Sequence, residues 1–307
     1  MPHVGQIKIR NSMMVRDIIR EMGKVGVLGA GRLARAVEVA REIFNDEDYT
    51  SLLGLAGPMV PGGLRQVIRD LVDKNYLDAI VSTGANITHD IIEAIGYRHK
   101  TGRIDADDYT LRRLGLGRIY DINIEMRAFE ALEKRIYKIV EDIPEDLRRN
   151  ISGYEILWEI GKRLRDEDSI LKTAYRKNIP IICPALHDSM LGMNLWTYST
   201  FKTLRINVFR DLSKLVEIST EAKRVGAIII GGGLPKHHLL ISNTLRGGLD
   251  AAIQITMDRP EAGGLSGAPL EEAITWRKIK GKSRIVNLIG DATILFPLIV
   301  AAATDGG

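Results

Sequence analysis

Cysteine and long apolar segments are almost absent from the 307-residue chain, and each shortage excludes a class of protein. The one cysteine, Cys183, cannot form a disulfide framework or a cysteine-based zinc site, and it suits a reducing compartment. No apolar run is long enough to cross a membrane, and residues 1–14 contain no apolar signal-peptide core. We therefore expect a cytoplasmic protein that does not enter a membrane and holds no metal.

An excess of charge of one sign is missing as well. The 43 basic and 39 acidic residues leave a net charge of +4, and no basic run is interleaved with aromatic residues. Nucleic-acid binding is therefore not expected. With 45% apolar residues, the chain is large enough to bury one big core or two smaller ones.

What the chain does contain is a regular alternation of two patterns. Short β-branched apolar runs predict strands at residues 51–55, 79–82, 180–183, 227–230, 251–255 and 285–289. Helical patterns fill the intervals, at residues 15–22, 63–75, 89–95, 124–141, 152–164, 169–177, 209–222, 239–247 and 270–276. Because strands that alternate with helices form parallel sheets covered on both faces, the sequence predicts an α/β fold with a doubly wound, mostly parallel, Rossmann-like sheet.

The chain carries no internal repeat and no low-complexity linker. We therefore expect a single domain over residues 1–307, with a short, loose N-terminal arm over about residues 1–12. Residues 98–121 are polar and irregular, and they are predicted to form a long excursion from the sheet.

Residues 29–34, Gly-Ala-Gly-Arg-Leu-Ala, match the dinucleotide-binding pattern Gly-x-Gly-x-x-Gly/Ala. A functional match requires a strand before the glycines and an acidic residue at the end of the next strand. Here only residues 25–28 precede the motif, and the next predicted strand ends in Ala56-Gly57-Pro58. We interpret the segment as the beginning of a helix that has no role in cofactor binding.

Small and polar residues follow four of the predicted strands, namely Thr83-Gly84, Asp188, Gly231–Gly233 and Asp291-Ala292. The carboxyl ends of parallel strands meet at one edge of a sheet, and ligands of open α/β sheets bind there. Glycines admit a bulky flat ligand, and carboxylates accept hydrogen bonds from ribose hydroxyls. The four together favour a nucleotide crevice, although each alone is also typical of a turn or a helix cap.

The segment from Ala227 to Lys278 is the most distinctive part of the chain. Residues 228–230 predict a buried strand that ends in three glycines, and the Lys-His-His of residues 236–238 follows at once. The segment closes with Trp276-Arg277-Lys278. Histidine titrates near neutral pH, and a lysine becomes a nucleophile when an apolar neighbour removes it from water.

Four motifs in this order, GGGLPKHH, SGAPLEEA, Trp-x-Lys-Ile at residues 276–279 and GDATILFPL, resemble deoxyhypusine synthase. The resemblance covers about residues 15–303, and TGANITHD and LSGAPLEEA are similar to the archaeal members. It implies an NAD-dependent transferase that moves the aminobutyl group of spermidine to one lysine of the hypusine-containing translation initiation factor. It also implies that an enzyme lysine carries the butyl group as an imine, and that the enzyme is a homotetramer with sites completed across a dimer interface.

The resemblance assigns roles to individual residues. Lys278 matches the lysine that forms the imine, and His237 matches the base at the secondary amine of spermidine. Glu272 matches an acidic residue that binds a terminal ammonium group, and Trp276 offers an apolar wall and a cation–π surface. The cofactor contacts that the motifs carry over are Thr83, Gly84, Asp188, Gly232, Gly233, Ser266, Asp291 and Ala292.

Several positions depart from the family's pattern. Uncharged Met193 and Leu265 stand where eukaryotic members have aspartates that bind the polyamine. The other departures are Thr88 and His89 for two glutamates, Gln254 for a tyrosine, and Arg277 where glycine is frequent.

Two alternatives follow from the missing carboxylates. One is the same transfer with agmatine or another amine as donor, or with a free amine as acceptor in the manner of homospermidine synthase. The other is a non-catalytic NAD-binding or assembly protein, against which the presence of both Lys278 and His237 argues.

Overall fold

The structure, a computed structural model, describes residues 3–304. Within that range the chain divides into two compact units. Unit 1 contains residues up to 56, residues 76–81 and residues from 214 onward, and unit 2 contains residues 57–75 and 82–213. The expectation of a single domain stays a prediction.

The strands, in chain order, are β1 (Tyr49–Leu55), β2 (Ala79–Ser82), β3 (Lys100–Thr101), β4 (Leu116–Ile119), β5 (Ile122–Glu125), β6 (Ile181–Ile182), β7 (Arg224–Ile230), β8 (Leu249–Thr256) and β9 (Ile279–Ile289). The helices are α1 (Val15–Val25), α2 (Leu28–Asn45), α3 (Arg65–Asp73), α4 (Gly84–Ala94), α5 (Asp108–Arg113), α6 (Arg127–Glu141), α7 (Glu145–Arg148), α8 (Gly153–Arg163), α9 (Ile170–Lys177), α10 (Met190–Ser199), α11 (Val208–Glu221), α12 (Gly233–Ser242), α13 (Glu272–Thr275) and α14 (Ala292–Thr304).

Unit 1 is built on the strand order β2-β1-β7-β8-β9. The pairs β1–β7, β7–β8 and β8–β9 are all parallel, with Leu55 opposite Ile230 and Ile230 opposite Ile255. Strands β7 and β8 are buried along almost their whole length, as expected for a parallel sheet with both faces covered. The structure thus confirms the predicted α/β fold, a parallel sheet flanked by helices.

Each predicted strand overlaps an observed one, and the boundaries differ where polar residues lie inside a strand. Strand β9 begins at Ile279, six residues before the predicted start. The prediction missed this part of the strand because residues 280–284 are mostly charged or small. Helix α14 was not predicted, since it is apolar on every face and lacks the 3.6-residue alternation that marks a surface helix. Helix α10 was not predicted either.

Three helix predictions were wrong at their amino ends. The helix expected over residues 89–95 is α4, which begins at Gly84. The helix expected from residue 124 begins at Arg127, because the alternating Ile-Asn-Ile-Glu of residues 122–125 forms β5. That strand lies between β3 and β4 in a small antiparallel sheet, so the excursion over residues 98–121 is more regular than expected. The helix expected over residues 239–247 is α12, which begins at Gly233 and is followed by a 3₁₀ turn.

The segment with the dinucleotide-like pattern is helical, as interpreted. Helix α2 begins at Leu28, and α1 rather than a strand precedes it. A side chain at Gly31 would place its Cβ 2.4 Å from the carbonyl carbon of Gly26, so close helix packing explains this glycine. Residues 3–10 of the arm form neither helix nor strand, and Gly5 donates to the carbonyl of Lys24 in α1. Residues 1–2 of the arm lie outside the described residues.

None of the helices within residues 3–304 has the length and apolar character needed to span a membrane. No group of three or more histidine, cysteine, aspartate or glutamate side chains in the same range could hold a metal ion.

In unit 2, the buried carboxylate of Asp90 in α4 contacts the amino end of α9. Its two oxygens accept hydrogen bonds from Ser169 Oγ at 2.8 Å and from the backbone N–H groups of Ile170 and Leu171 at 3.1 and 3.0 Å. Arg65 Nε donates to the same carboxylate at 2.7 Å. Because Asp90 is fully buried, its charge depends on these four donors.

Replacing Asp90 with alanine is expected to lower the free energy of unfolding by about 3–5 kcal/mol. The first turn of α9 loses its acceptor, and the buried Arg65 keeps only its ion pair with Asp166. Denaturant unfolding followed by circular dichroism measures the change. The matched control is Asp105→Ala, which removes an exposed ion pair with Arg103 and should leave the midpoint almost unchanged. Equal stability of Asp90→Ala and the wild type would contradict this account of unit 2.

Candidate active site

The turn that joins β7 to α12 is formed by Gly231–Gly233. Gly231 donates a backbone hydrogen bond to Ile255 at the end of β8, at 2.7 Å. A Cβ at Gly232 would lie 2.4 Å from the Cα of Ser266, so only glycine allows this close approach. Gly233 has a φ of 56°, and its N–H donates to Ser266 Oγ at 2.9 Å. The turn therefore holds the loop around Ser266 against the amino end of α12.

Lys236, in the first turns of α12, is 1% exposed. Its Nζ donates to Gln254 Oε1 at 2.9 Å, to the carbonyl of Leu265 at 3.0 Å and to the carbonyl of Ala268 at 2.6 Å. Burial lowers the pKa of Lys236 to about 8, and the negative charges of Glu272 and Glu271 oppose that decrease.

Lys278 acts electrostatically on His237. Burial lowers the pKa of His237, and the positive charge of Lys278 lowers it further. Lys278 is half-buried, and its Nζ lies 5.6 Å from the centre of the Trp276 ring. Its backbone donates to Ala273 and accepts from Leu249, which fixes it between α13 and the beginning of β8. The imidazole of His237 is thus kept neutral beside a cation, a state in which it can accept a proton.

Lys278 lies at the opposite end of the sheet from the glycine turn. Its neighbour Ile279 is opposite Leu249 at the amino end of β8, whereas Gly231 bonds to Ile255 near the carboxyl end. Six strand residues, about 20 Å, separate these two levels along β8. The Lys278 backbone is therefore remote from the glycines within one chain.

Trp276 and Glu272 belong to the short helix α13 and its carboxyl end. Trp276 is 70% exposed, so one face of the indole is available to a ligand. Glu272 is exposed, while the neighbouring Glu271 accepts a hydrogen bond from Asn287 Nδ2 at 2.7 Å. Arg277 is exposed and has a φ of 56°, a left-handed conformation that glycine adopts without strain. This conformation explains why glycine suits the position.

Asp291 and Ala292 join β9 to α14. Asp291 is exposed, and its Oδ1 accepts from the N–H and the Oγ1 of Thr293, both at 2.8 Å. The carboxylate thus binds the first turn of α14, which is the structural alternative stated for it. Its Oδ2 accepts no hydrogen bond within residues 3–304. Ala292 is buried.

The other three predicted cofactor contacts belong to unit 2. Gly84 begins α4, and a Cβ there would lie 2.5 Å from Ser189 Oγ. Thr83 immediately precedes α4, and its Oγ1 accepts from Asn86 Nδ2 at 3.1 Å. Asp188 is exposed. Whether these residues and those of unit 1 share one edge stays a prediction.

Thr88 and His89, which stand where the family has two glutamates, form hydrogen bonds within unit 2. In unit 2, Thr88 Oγ1 donates to the carbonyl of Gly84 at 2.9 Å and accepts from Leu191 N–H at 3.2 Å. His89 Nδ1 lies 2.9 Å from His99 Nε2, and His99 Nδ1 lies 2.7 Å from Glu93 Oε1. Burial lowers the pKa of His89 to about 4, so this imidazole stays neutral. Neither side chain replaces the negative charge of a glutamate.

Sequence reasoning missed two hydrogen-bond networks, one in each unit. Lys236 and Gln254 were not expected to bond, although Lys236 stands beside His237 in the motif and Gln254 lies in a predicted strand. The apolar residues beside them in the sequence were the only signal that these two polar side chains would be buried together. The chain of His89, His99 and Glu93 was not expected either, because Glu93 and His99 lie on different local elements.

Replacing Lys278 with methionine is expected to raise the pKa of His237, because a nearby positive charge is removed. Histidine carbon NMR across a pH titration measures this pKa directly. The matched control is Lys280→Met, since Lys280 is paired with Asp250. An unchanged pKa of His237 in the Lys278 variant would show that the two side chains do not interact.

The chain is similar to known proteins over nearly its whole length. The family model for deoxyhypusine synthase matches residues 17–303. A protein of Methanothermobacter thermautotrophicus named probable deoxyhypusine synthase is 44% identical over 301 residues, which cover 98% of this chain and 97% of the relative. A protein of Methanosarcina acetivorans named probable deoxyhypusine synthase 1 is 42% identical over 296 residues, with 96% and 92% covered.

The fold also resembles a solved structure. The crystal structure of a protein from Entamoeba histolytica, assigned as a deoxyhypusine synthase, has a TM-score of 0.69 and 22% sequence identity, and the match covers 95% of this chain and 93% of that one. This similarity supports the α/β fold, and the family model with the two archaeal relatives establishes the family. The chain belongs to the deoxyhypusine synthase family of transferases.

Proposed function

We propose that the chain transfers the aminobutyl group of spermidine, with NAD as cofactor, to one lysine of the hypusine-containing translation initiation factor. Family membership supports aminobutyl transfer for hypusine formation. The observation that supports the assignment of residues is the grouping of Lys278 with Trp276 and His237 in unit 1. A nucleophilic amine, an aromatic face and a neutral imidazole are the groups that imine-based transfer of a cationic amine requires.

Each of these side chains has a role in the proposal. Lys278 attacks the imine carbon of the butyl group, and the diaminopropane part of the donor leaves as a free amine. The acceptor lysine then attacks the same carbon and releases Lys278. His237, whose pKa is lowered by burial and by Lys278, accepts the proton of the secondary amine of the donor. Trp276 holds the cationic chain against its exposed face. Glu272 binds a terminal ammonium group through its carboxylate.

The residues at the strand ends fit a dinucleotide. Gly232 and Gly84 leave no room for a side chain, and each lies at the amino end of a helix, where a phosphate is favoured. The free Oδ2 of Asp291 and the exposed Asp188 are suitable acceptors for ribose hydroxyls. We assign NAD contacts to these residues together with Thr83, Gly233, Ser266 and Ala292. NAD bound by these residues would supply the acceptor for the hydride of the donor and the source of the hydride that completes the transfer.

The distance between Lys278 and the glycine turn along β8 has a consequence for assembly. We propose a homotetramer in which Lys278 of one copy serves NAD held partly by another, as the family resemblance implies. Large apolar side chains that are more than half exposed in unit 1, including Leu245, Met257 and Ile294, support self-association. The cytoplasm is the proposed location, and no contact with nucleic acid or membrane is proposed.

The site offers less support for spermidine as the amine donor than for the other parts of the proposal. Met193 is 50% exposed and carries no charge, and Leu265 contributes its carbonyl to Lys236 rather than an acid to the pocket. A donor with fewer cationic groups, such as agmatine, therefore stays a candidate, and so does a free amine acceptor. Both alternatives retain Lys278 and His237 in the same roles.

Incubation of the purified protein with NAD, spermidine and the translation factor is expected to add one aminobutyl group to one lysine of the factor, measured by peptide mass spectrometry. Lys278→Arg should reduce the transfer by at least about 10³-fold, because the guanidinium is never neutral and cannot form the imine. The matched control is Glu271→Gln, which keeps the hydrogen-bonding shape beside Glu272 and should retain most of the activity.

Two further reactions separate the alternatives, and a third tests whether sites are shared between copies. Transfer from agmatine but not from spermidine would replace the proposed donor, and transfer only to a free diamine would replace the proposed acceptor. A mixture of Lys278→Arg with Gly232→Ala subunits should recover part of the activity if sites are shared between copies. Full transfer by Lys278→Arg alone would contradict the assignment of Lys278.

A further inference from the structure

Lys236 is a buried cation with an unusual set of partners. All three of its ammonium N–H groups are used, and the acceptors are one amide oxygen and two backbone carbonyls. Within residues 3–304 no carboxylate lies within hydrogen-bonding distance of its Nζ. An ammonium group is costly to remove from water without a counter-charge, so a purely apolar side chain would serve packing better here.

The orientation of Gln254 depends on this lysine. An ammonium group can only donate hydrogen bonds, so the Gln254 oxygen must face Lys236 and its amide nitrogen must face the other way. That nitrogen donates to the carbonyl of Gly231 at 3.0 Å and to the carbonyl of Ser266 at 2.8 Å. Lys236 thereby sets which group Gln254 offers to the glycine turn.

The two side chains connect three separate segments of unit 1. Gln254 donates to Gly231 in the turn after β7. Lys236 donates to the carbonyls of residues 265 and 268 in the loop, and Gly233 donates to Ser266 Oγ. The loop over residues 265–268 is irregular and has no strand partner of its own. Its position relative to the glycine turn is therefore set by these hydrogen bonds rather than by a sheet ladder.

A direct chemical role for Lys236 conflicts with its surroundings. Its side chain is 1% exposed, and every N–H is occupied, so the nitrogen has neither a path to a substrate nor a free lone pair. Half-buried Lys278, beside the exposed face of Trp276, has the access that Lys236 lacks. The two lysines of the site thus differ in what they can do.

We propose that Lys236 and Gln254 are positioning residues that hold the loop of residues 265–268 against Gly231–Gly233 in the geometry that binds NAD. The proposal rests on the proposed function, because it assigns NAD to that turn. The ammonium form of Lys236 is required, since only it supplies three donors and fixes the amide of Gln254. Neither side chain touches the cofactor or the amine donor.

The first test measures the loop in the protein without any ligand. Lys236→Met, which keeps the length of the side chain and removes the donors, should increase amide hydrogen exchange of the peptide that contains residues 264–268 by at least about tenfold. Ser242→Ala is the matched control, because Ser242 is equally buried in α12 and donates only to Leu239. Equal exchange in Lys236→Met and the wild type would overturn the proposal.

The second test measures NAD itself. By calorimetry, Lys236→Met and Gln254→Leu should each weaken NAD binding at least about tenfold, and the double variant should be no weaker than the worse single variant, because both break one network. In steady-state transfer the KM for NAD should rise by a similar factor while kcat at saturating NAD changes by less than about threefold. Additive losses, or a fall in kcat alone, would contradict a positioning role.

The dependence of NAD affinity on pH provides a third test, because a side chain that only fills space would not make the affinity change with pH. Because burial lowers the pKa of Lys236 to about 8, NAD affinity of the wild type should fall as pH rises above that value. The groups that face it are Glu271 and Glu272 of α13, which favour its charged form, and the neighbouring His237, which is neutral in this range. Lys236→Arg, which stays charged, should lose this alkaline decrease.

The outcomes separate this proposal from the proposed function. Absence of NAD binding by the wild type at every pH would overturn both. Binding by the wild type with unchanged affinity in Lys236→Met and Gln254→Leu would overturn the positioning role alone. If Lys236→Met fails to fold, Gln254→Leu and the pH profile of Lys236→Arg give the same decision.

Discussion

The hydrogen bonds between the ammonium group of Lys236 and three oxygen atoms are the interaction on which the rest of the site depends. They fix Gln254, and Gln254 in turn binds the carbonyls of Gly231 and Ser266. The parallel sheet supplies the frame, since β7 and β8 bring Gly231 and Ile255 together. A buried charge within this frame is costly, and the three hydrogen bonds offset part of that cost.

The two lysines of the site show how environment divides chemical roles between identical side chains. Lys236 has a lowered pKa but no access, and Lys278 has access beside an aromatic face and a neutral histidine. A lowered pKa alone would point to Lys236, but a lowered pKa reflects burial as readily as reactivity. Exposure distinguishes the two lysines and supports the proposal of Lys278 as the nucleophile. The backbone of Lys278 lies at the amino end of β8, whereas the glycine turn lies at its carboxyl end.

The sequence predicted much of the frame and less of the network within it. The apolar runs located the strands, and the glycines after Ile230 located the turn, because burial and backbone freedom leave local signatures. Helix α14 was not predicted because it is apolar on every face. Strand β5 was not predicted because its four alternating residues lie directly before a helix. The bond between Lys236 and Gln254 joins residues 18 positions apart, and no local pattern encodes such a contact.

The central claim is that Lys278, and not Lys236, carries the transferred group. The most direct measurement is reduction with borohydride during turnover in the presence of NAD and spermidine, followed by peptide mapping of the protein by mass spectrometry. The account predicts one added aminobutyl group on the peptide that contains Lys278, with the peptide that contains Lys236 unmodified. An adduct on Lys236, or none on Lys278 while the initiation factor is being modified, would contradict it.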